Sequence, residues 1–151
     1  YTMVTGQIIL LAGALGIIFV APPLLSLIKS STQLPSLTIC VLYILIMSLE
    51  LNHSECASVI STDNRVPYVV PSLVSGGVIV ALTFVVLRFT TLGLLGVVLV
   101  QGIVQAAYNN WRWPLWVFRE LNMSVGEFYR TGIISLYQSV SSLWKSILKR
   151  A

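Results

Sequence analysis

The sequence predicts an all-α membrane protein: about four transmembrane helices, then amphipathic C-terminal helices. Three observations predict it. Hydrophobic residues make up 56% of the chain and charged residues 9%, where a soluble domain carries about 25% charged residues. Apolar runs long enough to cross a hydrocarbon core of about 30 Å recur through residues 1–110. Beyond them, aromatic rings alternate with arginines and lead into an amphipathic segment.

The first expected span is Gln7 to Ile28, with Pro22-Pro23 predicting a kink or an early end because proline removes a backbone donor. The second is 35–60, entered at Pro35 after the loop Lys29-Ser-Ser-Thr-Gln33. The turn Ser61-Thr-Asp-Asn-Arg-Val-Pro67 leads to a third span, 68–87, in which Gly76-Gly77 would allow close helix approach. The fourth is 94–108. Residues 111–151 form the expected interfacial and cytoplasmic tail. Within it, Pro114 starts a short helix to Leu121, and Val125 to Lys149 forms the last helix. Val125, Phe128, Tyr129, Ile133, Leu136, Val140, Leu143, Trp144 and Ile147 share one face of that helix, opposite Glu127, Gln138, Ser141 and Lys145. Its uncharged core, Thr131 to Trp144, holds four serines and a glutamine, which suits a helix lying in the interface. Trp111, Trp113, Trp116 and Trp144 are the expected membrane-interface aromatics.

Orientation follows from the basic residues. With four alternating spans, Arg65, Arg112, Arg119, Arg130, Lys145, Lys149 and Arg150 fall on one side, and Lys29 and Arg88 on the other. The C-terminus is therefore expected in the cytoplasm. The excess positive charge suits anionic lipid headgroups rather than nucleic acid. The chain opens on Tyr1 without a charged leader, so a longer protein is expected, of which this is the C-terminal part.

Chemistry concentrates in two stripes. Glu50, His53 and Ser54 stand at i, i+3 and i+4 and share a helical face; Asn52 and Glu55 flank them. Charge at membrane depth is costly and usually faces a partner or a water-filled path, although a helix end emerging into headgroups reads the same way. Glu50 lies roughly 23 Å from Pro35 at 1.5 Å per residue, near the inner edge of the hydrocarbon. Gln101, Gln105, Tyr108 and Arg112 form the second stripe, either glue between helices or contacts for sugar hydroxyls. Cys40 and Cys56, roughly 24 Å apart along one helix, read as free packed thiols. The single histidine argues against a metal cluster, and neither a nucleophile triad nor a phosphate-binding glycine loop is evident. An enzyme and a cofactor are therefore not expected.

Leu49-Glu-Leu-Asn-His-Ser54, followed by Ser61-Thr-Asp-Asn-Arg-Val-Pro-Tyr68, resembles the polar helix end and T-x-N-x-x-P-F/Y loop of bacterial polysaccharide flippases. These are the O-antigen and exopolysaccharide exporters of the multidrug/oligosaccharidyl-lipid/polysaccharide superfamily. Tyr108-Asn-Asn-Trp-Arg-Trp-Pro114 resembles the end of that family's last core helix. The resemblance covers most of the chain up to Leu121. It implies the last four helices of a MATE-like bundle of about twelve, with both termini cytoplasmic, in the bacterial inner membrane. It implies transport of an undecaprenyl-pyrophosphate-linked oligosaccharide, with membrane lipids and the polysaccharide polymerase and ligase machinery as further partners. Asn64 and Arg65 of the loop and Arg112 would then stand at the cytoplasmic mouth, the arginines toward the pyrophosphate. A cation-coupled small-molecule antiporter of the same superfamily and a non-transporting membrane scaffold are the alternatives.

Overall fold

The computed structural model describes residues 1–148 apart from Arg65, and only the backbone of Ser146 and Ile147. The expected placement of Lys149 and Arg150 lies outside the described residues. The described residues form helices joined by short turns: α1 (Thr2–Leu15), a π-helical stretch (Gly16–Val20), α2 (Ala21–Leu27), α3 (Leu37–Ser61), α4 (Val69–Phe89), α5 (Gly93–Ala107), α6 (Asn109–Glu120) and α7 (Val125–Leu148). The chain is thus an all-helical membrane protein.

Three helical stretches are long and apolar enough to cross a bilayer: Thr2–Leu27, Leu37–Ser61 and Val69–Phe89. The first spans the α1–π–α2 run. Pro22 and Pro23 do not end it. They lie at the start of α2, and the ladder adjusts one turn earlier through the π-helical stretch. The expected fourth span is α5, whose 15 residues extend only about 22 Å.

Named contacts fix the directions of the helices. Gln7 bonds Ser48 and Asn52, while Ile17 and Cys40 line one groove farther along, so α1 and α3 are antiparallel. Gly96 sits against Val86, and Asn109 bonds Ser75, so α5 runs back along α4. Gly102 sits against Ile46, and Trp113 reaches Cys56 and Ile60, so α5 and α3 are parallel. Every turn around the bundle therefore returns the chain to the same two levels. Met3, Cys56, Ile60, Trp113 and Val117 form the core at one end, here the lower end, with Tyr68, Trp116, Phe128 and Tyr129 packed around it. The turn after α2, carrying Lys29, and the last turn of α4, carrying Arg88, lie at the upper end.

The lower end corrects two sequence expectations. The helix bearing the tryptophans begins at Asn109, and Pro114 falls inside it rather than at its start. Trp113 is not an interface residue: it is 2% exposed, the centre of the lower core. Trp111 and Trp144 are exposed and Trp116 half-buried.

Close helix approach falls at other glycines than expected. Gly76 and Gly77 face open space. A Cβ at Gly102 would stand 2.6 Å from Ile46 Cδ1, one at Gly96 2.4 Å from Val86 Cγ1, and one at Gly6 3.1 Å from Leu51 Cδ2. Small residues at crossing points let backbones approach, which matters where lipid removes the ordinary hydrophobic drive between helices.

Gly102→Val should therefore cost about 1–3 kcal/mol through overpacking, whereas Gly77→Val should cost no comparable amount. Unfolding of the two variants in mixed micelles checks the contrast.

Candidate functional site

Between the two ends the helices carry a belt of polar side chains. In α1, the Gln7 amide donates to the Ser48 carbonyl at 2.9 Å and to Asn52 Oδ1 at 2.8 Å, and accepts from Ser48 Oγ at 2.8 Å. Across the bundle, Asn109 Nδ2 donates to Ser75 Oγ at 3.0 Å and Gln105 Oε1 at 2.7 Å, while Asn109 Oδ1 accepts from the Trp113 indole at 3.3 Å. The Ile46–Gly102 contact sets the register of the parallel pair α3 and α5. Glu50 lies four residues below that contact on α3, and Gln105 three below it on α5, so the two stand at one level.

Glu50 and His53 are the chargeable members of this belt. Glu50 lies near the middle of α3, about 16 Å from its end at Ser61. His53 Nδ1 stands 3.6 Å from Glu50 Oε2, and their side chains are only 12% and 18% exposed. This distance is longer than a hydrogen bond. Glu50 Oε1 and His53 Nδ1 are buried without a hydrogen-bond partner among the described residues. Glu50 and Ser54 also line an otherwise apolar cleft with Gly6, Ile9 and Leu10.

The remaining predicted residues scatter. Asn52 joins the Gln7 network. Burial pushes the Tyr129 hydroxyl of α7 above its ordinary pKa. Glu55 is half-buried five residues beyond Glu50, on another side of the helix. Asn64 is exposed with φ of 58°, the left-handed corner of the α3–α4 turn, a conformation asparagine tolerates. Arg65 lies outside the described residues. The expected Gln101–Gln105–Tyr108–Arg112 stripe is interrupted. Tyr108 leaves helical geometry (φ −143°, ψ −57°), which turns α6 away from the line of α5. Arg112 instead lies 5.9 Å over the Trp116 ring, an aromatic–cation contact. Gln101 is half-buried one turn above Gln105.

Gln7, Ser48, Ser75 and Asn109 were not singled out as site residues from the sequence. Their signal was partly present: Gln7, Ser48 and Ser75 are polar residues within candidate spans, where an unpaired polar group is costly. Asn110 is buried beside them with both side-chain polar atoms unpartnered among the described residues. Pro114, four residues on, has no N–H to offer its carbonyl.

With this geometry in view, no family model, curated protein or solved structure matches the chain.

Gln7→Leu should destabilise the α1–α3 pair by about 1–2 kcal/mol, because Ser48 and Asn52 lose their partner together. Unfolding in micelles reads this, with Gln101→Leu as the control.

Below the belt, Ser124 and Glu127 cap α7 reciprocally. Ser124 N and Oγ donate to Glu127 Oε2 at 2.8 and 2.7 Å, and Glu127 N donates to Ser124 Oγ at 3.2 Å. These bonds, the backbone one first, hold the Glu127 carboxyl below its ordinary pKa. A depressed folded pKa means that the stabilisation is present above the unfolded value and lost as pH falls through the folded one. Amide protection factors at Gly126–Phe128, corrected for the intrinsic pH dependence of exchange, should therefore fall as pH drops through the lowered folded pKa of Glu127, and Glu127→Gln should abolish that fall.

Proposed function

We propose that this chain is the C-terminal part of a multi-pass transporter of the bacterial inner membrane. Its cargo in this reading is an undecaprenyl-pyrophosphate-linked oligosaccharide, moved outward for surface polysaccharide synthesis. The observation that carries the reading is the polar belt. An acid–histidine pair and several amides at one level, inside helices otherwise fit for lipid, are costly to keep unless a polar path runs there. Amides and hydroxyls suit sugar hydroxyls, and the polyprenyl tail would stay in lipid beside the apolar outer faces.

The residue runs 49–54, 61–68 and 108–114, which resemble flippase segments, support the cargo class. Arg112, Arg119 and Arg130 gather toward the lower end, against Lys29 and Arg88 at the upper. That imbalance supports a cytoplasmic lower end and C-terminus. Arg112 is the cation best placed for an incoming pyrophosphate, with its guanidinium already oriented on Trp116. The helices preceding this part would supply the other half of the path, and rocking of the halves would give alternating access. Polymerase and ligase machinery would act on the delivered lipid.

One observation favours a second reading, a non-transporting membrane scaffold. The Gln7–Ser48–Asn52 and Ser75–Asn109–Gln105 groups satisfy one another, as interhelical glue would.

The test uses the full-length parent in a flippase-deficient strain that makes the matching glycan. Wild type should restore surface polysaccharide. Glu50→Gln, His53→Ala and Arg112→Ala at matched expression should each lower it at least tenfold. Rescue by all three variants would remove these residues from the path. Failure of the correctly inserted wild type would favour the scaffold.

A further inference from the structure

α7 enters the bundle firmly and then leaves it. Its first turns are built into the lower end: Phe128 packs on Phe118 with centroids 5.1 Å apart, Tyr129 packs against the lower core, and Gly132 lies against Val4. A Cβ at Gly132 would come within 2.9 Å of Val4 Cγ2, so this crossing is close. The contact places this turn of α7 beside the first turn of α1.

Beyond Gly132 the helix divides into three strips. Leu136 and Ser139 continue the half-buried flank begun by Gly132. Ile133, Tyr137, Val140, Trp144 and Leu148 form the second strip, each 56–74% exposed. Gln138, Ser142 and Lys145 form the third, on the far side. Arg130 and Lys145 are exposed, the sequence continues into Lys149-Arg150, and the one acidic residue of the helix, Glu127, is held in the cap. Ile8 and Ile9 of α1 are likewise exposed, 54% and 66%.

We propose that α7 is a surface helix that docks on the anionic leaflet at the lower end. Ile133, Tyr137, Val140 and Trp144 enter the acyl boundary, and Arg130 and Lys145 meet phospholipid phosphates. The occupant follows from charge complementarity: among the described residues of α7, the charges beside the strip, Arg130 and Lys145, are positive, and the one carboxylate, Glu127, is held in the cap. An apolar strip alone would take any hydrophobic partner; an apolar strip flanked by cations, on a chain whose other helices are fit for lipid, takes an anionic membrane surface. This holds whether or not the belt serves transport.

The experiment reconstitutes the full chain in vesicles of phosphatidylcholine alone or with about 30% of the anionic phosphatidylglycerol, which supplies the negative surface potential. The difference in tryptophan emission between wild type and Trp144→Phe isolates Trp144. Quenching of that signal by lipids brominated near the headgroup should rise with the anionic lipid and fall in high salt. Lys145→Gln and Arg130→Gln should each weaken the docked population about fivefold. Both side chains are exposed, so folding should persist, and helicity checks it. Equal quenching in both vesicles, unmoved by either variant, would overturn the anionic specificity. No quenching in any vesicle would overturn lipid docking and point to a protein partner.

Discussion

Trp113 carries a large aromatic surface and one N–H, and the lower end is arranged around burying the first while satisfying the second. Its ring meets Tyr68 and Tyr108 edge-on at 6.2 and 5.9 Å and lies against Trp116 at 5.9 Å. Its indole donates to Asn109. This cluster needs α6 to tuck under α3, and the non-helical dihedrals of Tyr108 supply the bend. Cys56 and Ile60 from α3, Met3 from α1 and Tyr68 before α4 then close on the same ring system. Ser61 and Tyr68 add a short hydroxyl–hydroxyl bond across the turn between α3 and α4. Four segments distant in sequence thus share one anchor, and the belt above takes its register from it.

Away from that anchor the bundle follows the logic of a lipid solvent. The windows that qualify as spans are scarcely buried inside the chain. Apolar contact between helices gains little when lipid tails offer the same contact. The crossings therefore rest on close approach at Gly6, Gly96 and Gly102, and on amide and hydroxyl pairs in the belt. The same pairs that hold the helices together keep polar chemistry at one depth. Only Glu50 and His53 retain polar atoms that the described residues leave unpartnered there, together with those of Asn110.

The tail is tied to the lower core: Phe128 and Tyr129 pack around Met3, Cys56 and Trp113, and Gly132 lies against Val4 of α1. The reciprocal Ser124–Glu127 cap makes the start of α7 well defined immediately after the left-handed Asn122. The S-x-x-E pattern behind that cap stands in the sequence at 124–127.

The sequence by itself determined that this is a helical membrane protein, because so few charges cannot clothe a water-exposed surface and the apolar runs match the bilayer's thickness. It also determined the Glu50–His53–Ser54 face of α3 and the amphipathic character of α7, since spacing alone puts side chains on a face. It could not show that Trp113 is buried. An aromatic beside arginines reads as interfacial until the bend at Tyr108 turns it inward. The same bend broke the expected stripe and gave Arg112 to Trp116. Nor could it decide which glycines are crossings. Gly76-Gly77 and Gly102 look alike along the chain, and only the register of α5 against α3 sets Gly102 on Ile46. Gln7 joined the site for the same reason. A lone glutamine has no partner until an antiparallel helix brings Ser48 and Asn52 across to it, and that pairing belongs to the tertiary structure.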